Sequence, residues 1–208
     1  MAVRFDASSD ALRRTSDVPN YNAAYTYITA LYFNGTGHGT FRNFMTINDG
    51  NNAYDQWYIT STPALRIFVN NSGSGTYTIS TGAWYWIACV RVSATDAKMY
   101  IADANGSLLS TLTLTHGSMS GRVAPDRFEV GGNVWSEWMD GRVAHQFFWT
   151  RELSEAECLA QFGKIQPLGP TSLYGWWPTF AGSDERLRDF SGNGRNFTAA
   201  GTLTDEDG

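Results

Sequence analysis

An antiparallel β-sandwich or jelly roll with one short α-helix is the fold that this 208-residue sequence predicts. Three observations predict it. Residue character alternates with period 2 through most of the chain. Clusters of Gly, Asn, Asp and Ser interrupt that alternation roughly every 8 to 12 residues. A single segment carries the start and stop chemistry of a helix.

The elements follow in order. In "AAYTYITALYF", Tyr25, Tyr27, Thr29, Leu31 and Phe33 fall on one face of an extended chain and Thr26, Ile28, Ala30 and Tyr32 on the other. The runs "FRNFMTI", "QWYIT", "ALRIFV", "TYTIS", "WYWIACVRV", "KMYIA", "SLLSTLTL", "RFEVGG" and "GRVAHQFFW" repeat the pattern. Turn residues separate them at 48–52 ("NDGNN"), 70–75 ("NNSGSG"), 103–106 ("DANG") and 131–133 ("GGN"). In "RELSEAECLAQFGK" the alternation stops. Ser154 and Glu157 form a capping box, Leu153 and Cys158 a hydrophobic staple, and Gly163 stands at the left-handed C-terminal position, which predicts a helix over 154–162. Pro167 and Pro170 mark a connection, and "SLYGWW" resumes as strand. No internal repeat or long linker divides the chain, so residues 1–208 are expected to form one domain.

Composition narrows the function. A net charge of -5, with 15 Lys and Arg spread through the chain, provides no basic stripe for a nucleic acid. Aromatic residues make up 14% and charged residues only 17%, so Ser, Thr, Asn and Gly must supply much of the polar surface. The start, Met1-Ala-Val-Arg-Phe-Asp, lacks the apolar run of a signal peptide, and no stretch is long enough to cross a bilayer as a helix. The expectation is synthesis in the cytoplasm without membrane insertion. Cys89 and Cys158 read as buried free thiols rather than a bridge, and the four Asn-x-Ser/Thr matches as chance in a Ser/Thr/Asn-rich chain.

The order of "WYWIACVRV", "KMYIADANG", "FEVGGN" and "WMDGRVAHQFFWTRELSEAE" resembles the laminin-G-like branch of the concanavalin A-like lectin/glucanase superfamily. "VRFDASSDALRR" resembles that branch's "FDG-x-x-D-x-L" strand, with Ala7 where Gly is usual, and "YGWWPTFAGSDERLRDFSGNGRNFTAAGT" its "D-x-SGNG" segment. The family places "D-x-SGNG" before "FDG", whereas here it comes last, as in a circular permutation or one cut from a tandem series. The resemblance implies a concanavalin A-like jelly roll.

Two readings of "DFSGNGR" stay open. One is a turn between edge strands, with Gly192 or Gly194 at positive φ and Asp189 and Asn193 bonding their own backbone. The other is a calcium loop, since some relatives hold calcium at the sandwich rim. Asp189 and Asn193 would then be ligands, joined by Asp6 or Asp140, and calcium the one candidate cofactor. Phosphate binding lacks its lysine.

The superfamily also includes glycoside hydrolases, but their "E-x-D-x-[x]-E" strand is absent. His38, His116 and His145 lie far apart in sequence, outside any zinc motif, and "GSMSG" at 117–121 has Met119 where a nucleophile elbow has serine. These observations predict a protein that is not an enzyme. For sugar binding the candidates are Trp135 and Trp138 in the polar segment "GGNVWSEWMDG", and His38 in "GTGHGT"; Trp84, Trp86, Trp149 and one of Trp176 and Trp177 read as core. The expected function is a non-enzymatic, lectin-like structural or adhesion protein of a virion surface, a capsid decoration or tail-fibre module reaching the extracellular space after lysis. Its partners would be glycans or other virion proteins, and it would form a homo-oligomer. The alternative is a free carbohydrate-binding module of a larger enzyme or adhesin.

Overall fold

The computed structural model describes residues 2–6, 9–35, 41–49, 53–119, 122–133, 137–178 and 185–206. In chain order the strands are β1 (Ala2–Phe5), β2 (Ala11–Arg14), β3 (Tyr25–Phe33), β4 (Phe41–Asn48), β5 (Ala53–Thr60) and β6 (Ala64–Val69). They continue as β7 (Ser72–Gly73), β8 (Tyr77–Thr78), β9 (Trp84–Arg91), β10 (Asp96–Asp103), β11 (Leu108–Thr115) and β12 (Arg127–Val130). After β13 (Gly141–Trp149) comes helix α1 (Glu155–Gln161), then β14 (Leu173–Trp177), β15 (Thr198–Ala200) and β16 (Thr204–Glu206).

The strands form two antiparallel sheets packed face to face, as the alternation predicts. Sheet A runs β11-β10-β9-β3-β13-β1-β16, with β14 also on β13; sheet B runs β15-β2-β12-β4-β5-β6-β7, with β8 on β6. Tyr25, Tyr27, Leu31 and Phe33 of β3 point between the sheets, meeting Phe128 and Val130 of β12 and Trp57 and Ile59 of β5. The other face of β3 is apolar too. Ile28 and Ala30 join Trp86, Ala88 and Val90 of β9 in a second cluster, roofed by Leu153, Cys158 and Phe162 around α1. Burial on both faces explains why "WYWIACVRV" reads as a nearly unbroken apolar run instead of an alternation.

The helix forms where its signals lie. The Ser154 side chain accepts from the Glu157 amide while the Glu157 carboxylate accepts from the Ser154 amide, and Gly163 has φ +76. With Arg151 pairing to it as well, the Glu157 carboxyl is drawn down to about 2. Gly131 also needs its lack of a side chain: at φ +88, a Cβ there would come 2.2 Å from the Phe5 ring.

An ion pair lies in the interior between the sheets. Arg91 of β9 and Asp55 of β5, both fully buried, approach to 3.3 Å, and Asp55 also accepts from Tyr25 Oη at 2.8 Å. Burial pushes the Asp55 carboxyl up to about 6 despite the guanidinium. The Arg91 nitrogens find no hydrogen-bond partner among the described residues.

Candidate functional site

A cleft of about 310 Å³ opens on the outer face of sheet A, beside the end of α1. Its floor is made by small residues. Ala144 of β13 and Ala30 of β3 stand side by side in register, with Trp86 of β9 next across the sheet. Three adjacent strands thus contribute two methyl groups and one indole, and the depth of the cleft is the volume that the alanines do not fill. Trp84 and Ala104 line it further, and His145 closes one side.

His145 reaches the cleft because β13 breaks its register between Ala144 and Phe147. At that bulge His145 adopts φ +52, a left-handed conformation costly for a side chain of this size. Gln146 turns inward instead and accepts from Tyr27 Oη at 3.0 Å. The imidazole stacks on Trp86 with centroids 6.0 Å apart, and Phe162 stacks on the same indole at 6.1 Å. His145 Nδ1 is buried without a partner among the described residues, and burial lowers the ring's pKa, so the histidine stays neutral. Beyond the cleft, Trp84 packs on Tyr32 at 5.4 Å, and the Arg142 guanidinium lies 4.8 Å over the Tyr32 ring. With His145 and Phe162 stacked on Trp86, the half-buried Trp84 is the aromatic group left for a ligand, beside one neutral hydrogen-bonding imidazole, and the described lining residues include no carboxylate.

Trp84, read from sequence as core, is only half-buried and lines the cleft; Trp86 is buried as expected in the second core cluster and borders the cleft from there, and Trp149 and Trp177 are buried as expected too. Trp138 is only 8% exposed and lies so close to Gly132 that a Cβ there would come 2.1 Å from the indole, so it presents no open face. Trp135 and His38 lie outside the described residues. His116 is buried with its Nδ1 beside the Gly117 carbonyl, far in sequence from the other two histidines.

Asp189 is the centre of a built turn. Its carboxylate accepts from the amides of Trp176, Ser191 and Arg195 and from the Ser191 hydroxyl, all within 3.0 Å. Asn193 spends its amide on the Leu173 and Tyr174 carbonyls, and Gly192 and Gly194 take positive φ. Asp140 bonds Asn34 at 2.8 Å and Asp6 pairs with Arg4 at 3.2 Å. These last two share one end of sheet A, because Phe5 and Gly141 are register partners, while Asp189 anchors to β14. Among the described residues no group of three His, Cys, Asp or Glu could hold a metal ion.

Sequence reasoning passed over two carboxylates on the outer face of sheet B. Glu129 is fully buried and accepts from Arg13 at 2.6 Å and Asn48 at 2.9 Å. Glu137 accepts from Asn43, Gln56 and Asn133 at 2.7 to 3.0 Å. Glu129 lies on β12 and Glu137 eight residues on, past the strand's end, so no single-strand motif announces them.

No family model matches the chain, and no curated protein does. Solved structures match its fold. A protein from Bacteroides ovatus ATCC 8483, described as a candidate carbohydrate-binding protein, aligns over 98% of this chain and 58% of its own, at 14% identity and TM-score 0.63. The heptameric SAP-like pentraxin of Limulus polyphemus aligns over 98% and 93%, at 15% identity and TM-score 0.61. The enzymatically active domain of bacteriophage CBA120 tailspike protein 2 aligns over 79% of this chain and 28% of that one, at 14% identity and TM-score 0.56. This chain thus spans little more than half of the Bacteroides protein. The expectation that it is not an enzyme is overturned as a deduction from fold: the tailspike domain is enzymatically active, and Trypanosoma rangeli sialidase matches over 68% of this chain and 23% of its own, at 14% identity and TM-score 0.53. At these identities the likeness is one of fold, and the fold is the concanavalin-like sandwich.

Proposed function

We propose that this chain is a lectin-like attachment module that holds a glycan in the cleft formed by Trp84, Trp86 and His145. One observation carries the reading: the half-buried Trp84 indole and a neutral imidazole meet over a floor of alanines on the outer sheet face. An indole face stacks on the C–H face of a sugar ring, and the His145 imidazole on the cleft wall is a neutral hydrogen-bonding group beside it. The carbohydrate-binding description of one fold neighbour supports it. The setting we favour is a virion surface, as a tail-fibre or capsid-decoration module, supported by the tailspike neighbour. A module of a larger enzyme or adhesin is the alternative, supported by the 58% coverage of the Bacteroides protein. Within the superfamily we assign the laminin-G-like branch in circularly permuted order, from its motif order and from the adjacency of β1 and β16.

The test is a broad glycan array run with calcium and with chelator, on the native protein and on Trp84→Ala. Binding in both conditions that Trp84→Ala abolishes supports the cleft. Binding that chelator abolishes and Trp84→Ala leaves intact moves the site to the rim, near Asp6 and Asp140. Glycan hydrolysis is a second reading, favoured by Glu129 and Glu137 on one face of sheet B; release of free sugar that Glu137→Gln abolishes would establish it.

A further inference from the structure

The strand at one end of sheet A is left open in a way that the other edges are not. Unpaired edge strands are templates for pairing with another chain, and proteins blunt them by shortness, charge or cover. Here β15 and β16 are three residues each, β16 with the sequence Thr-Asp-Glu, and β7 is two. The free side of β14 is covered: Asp189 accepts from the Trp176 amide, the Phe190 amide donates to the Trp176 carbonyl, and Asn193 and Arg195 donate to the Tyr174 carbonyl. By contrast, β11 is eight residues long, carries no charge, and among the described residues pairs only with β10. Leu108 and Leu109 are 39% and 44% exposed, and Thr111, Thr113 and Thr115 are exposed as well. The bulge in its pairing with β10 falls beside Leu108, leaving Ser110–Thr115 regular.

We infer that β11 is a self-association edge, on which a second copy of this chain adds its own β11 antiparallel to make one continuous sheet. The occupant follows from self-complementarity. An uncharged strand meeting itself about a two-fold axis opposes no like charges, and each copy supplies the same unpaired amides and carbonyls that the other needs.

The side-chain period fixes the register. Residues opposite one another must share a face, so only registers with an even residue sum are allowed. The two-fold that centres the uncharged stretch passes through Leu112. It sets Leu112 against Leu112 and Ser110 against Leu114 on the core side, with Thr111 against Thr113 outside. A strip about 27 Å long and roughly 10 Å deep buries a few hundred Å² per copy, below the ~800 Å² of a standard stable interface. The dimer is therefore weak and concentration-dependent in free solution, and gains strength when copies are held side by side.

The geometry has a use if the cleft binds glycan. The outer faces of the two sheets A become one face, and the two β9 strands lie five strand spacings apart, roughly 24 Å. Two clefts would then address one glycan-bearing surface, and the second contact would be made at high effective concentration.

Sedimentation of the native protein from micromolar to near-millimolar concentration tests this, alongside Thr111→Lys/Thr113→Lys. The expected result is a monomer–dimer equilibrium that the double lysine variant weakens at least tenfold. A native protein that stays monomeric throughout, or a dimer that the lysines leave unchanged, overturns the inference. If the lysine variant is not folded, Thr111→Cys and Thr113→Cys proteins decide. Oxidised together they should cross-link as a mixed dimer, and separately far less; Cys89 and Cys158 are buried and take no part. Equal cross-linking in all three samples overturns the register and the edge with it.

Discussion

The His145 imidazole lies 6.0 Å from the Trp86 indole with the two planes only 17° apart, and a backbone at φ +52 holds it there. A strained residue that closes a cleft can be separated from its structural role by substitution. His145→Gly relieves a left-handed backbone costing about 1 kcal/mol and removes the ring. Global stability, read by urea unfolding, should stay within about 1 kcal/mol of native, while glycan affinity falls roughly tenfold, or about 1.4 kcal/mol. Unchanged affinity with a large loss of stability would assign His145 to structure alone.

The buried ion pair should show strong coupling. Arg91→Met leaves Asp55 without its counter-charge and should cost about 3 kcal/mol, and Asp55→Asn leaves the guanidinium stranded at similar cost. The double variant Asp55→Asn/Arg91→Met removes both charges and should recover to within about 1 kcal/mol of native. A thermodynamic cycle by chemical denaturation measures this; simple additivity would contradict the pairing.

Stability should depend on pH through opposed groups. The folded-state pKa values of His116 and His145 lie below the ordinary 6.5, so the unfolded chain takes up their protons first, and stability falls as pH drops from 6.5 through those values. Asp55 runs the other way. Its folded value of about 6 lies above the ordinary 3.8, so its contribution is full below 3.8 and lost as pH rises through 6. Denaturation midpoints should vary little between about pH 4 and 6, where the terms oppose. In His116→Gln/His145→Gln the Asp55 carboxyl should dominate between about pH 6 and 5, where stability should rise as pH falls; below that Glu157, held near 2 in the folded state, opposes it.

The Asp189 turn should act as a structural clamp. Asp189→Ala strands three backbone amides and frees the edge of β14, which should cost about 2–4 kcal/mol. For a chain of this size that lowers the melting temperature by about 5–15 °C. Asp189→Asn keeps one acceptor oxygen and should lose roughly half as much.

How far the sequence reaches is clearest element by element. The alternation in "AAYTYITALYF" and the caps around Ser154 and Gly163 were legible because local periodicity and turn chemistry act within a few residues. Sheet partners were not: β2 pairs with β12 and β15, and nothing near Ala11–Arg14 says so. The tryptophans show the same limit. An apolar residue on a strand covered on both faces reads as core whichever way it points, so Trp84 and Trp86 gave no sign that alanines on two other strands leave space beside them. His145 was visible only as one of three scattered histidines, since its bulge depends on the pairing of β13 with β3. Asp189 and Asn193 could be placed in a turn, but that every Asp189 oxygen is engaged internally required their neighbours.

Cys89 points between the two sheets, whereas Cys158 lies under the helix on the other side of sheet A, so the sheet itself stands between the thiols. Burial also keeps both protonated, driving Cys158 up to about 12 and pushing Cys89 well up in the same direction. Neither sulfur is available as a thiolate to attack an oxidant, a metal or its fellow. The sandwich is therefore held together without a bridge between its two cysteines, by packing and hydrogen bonds.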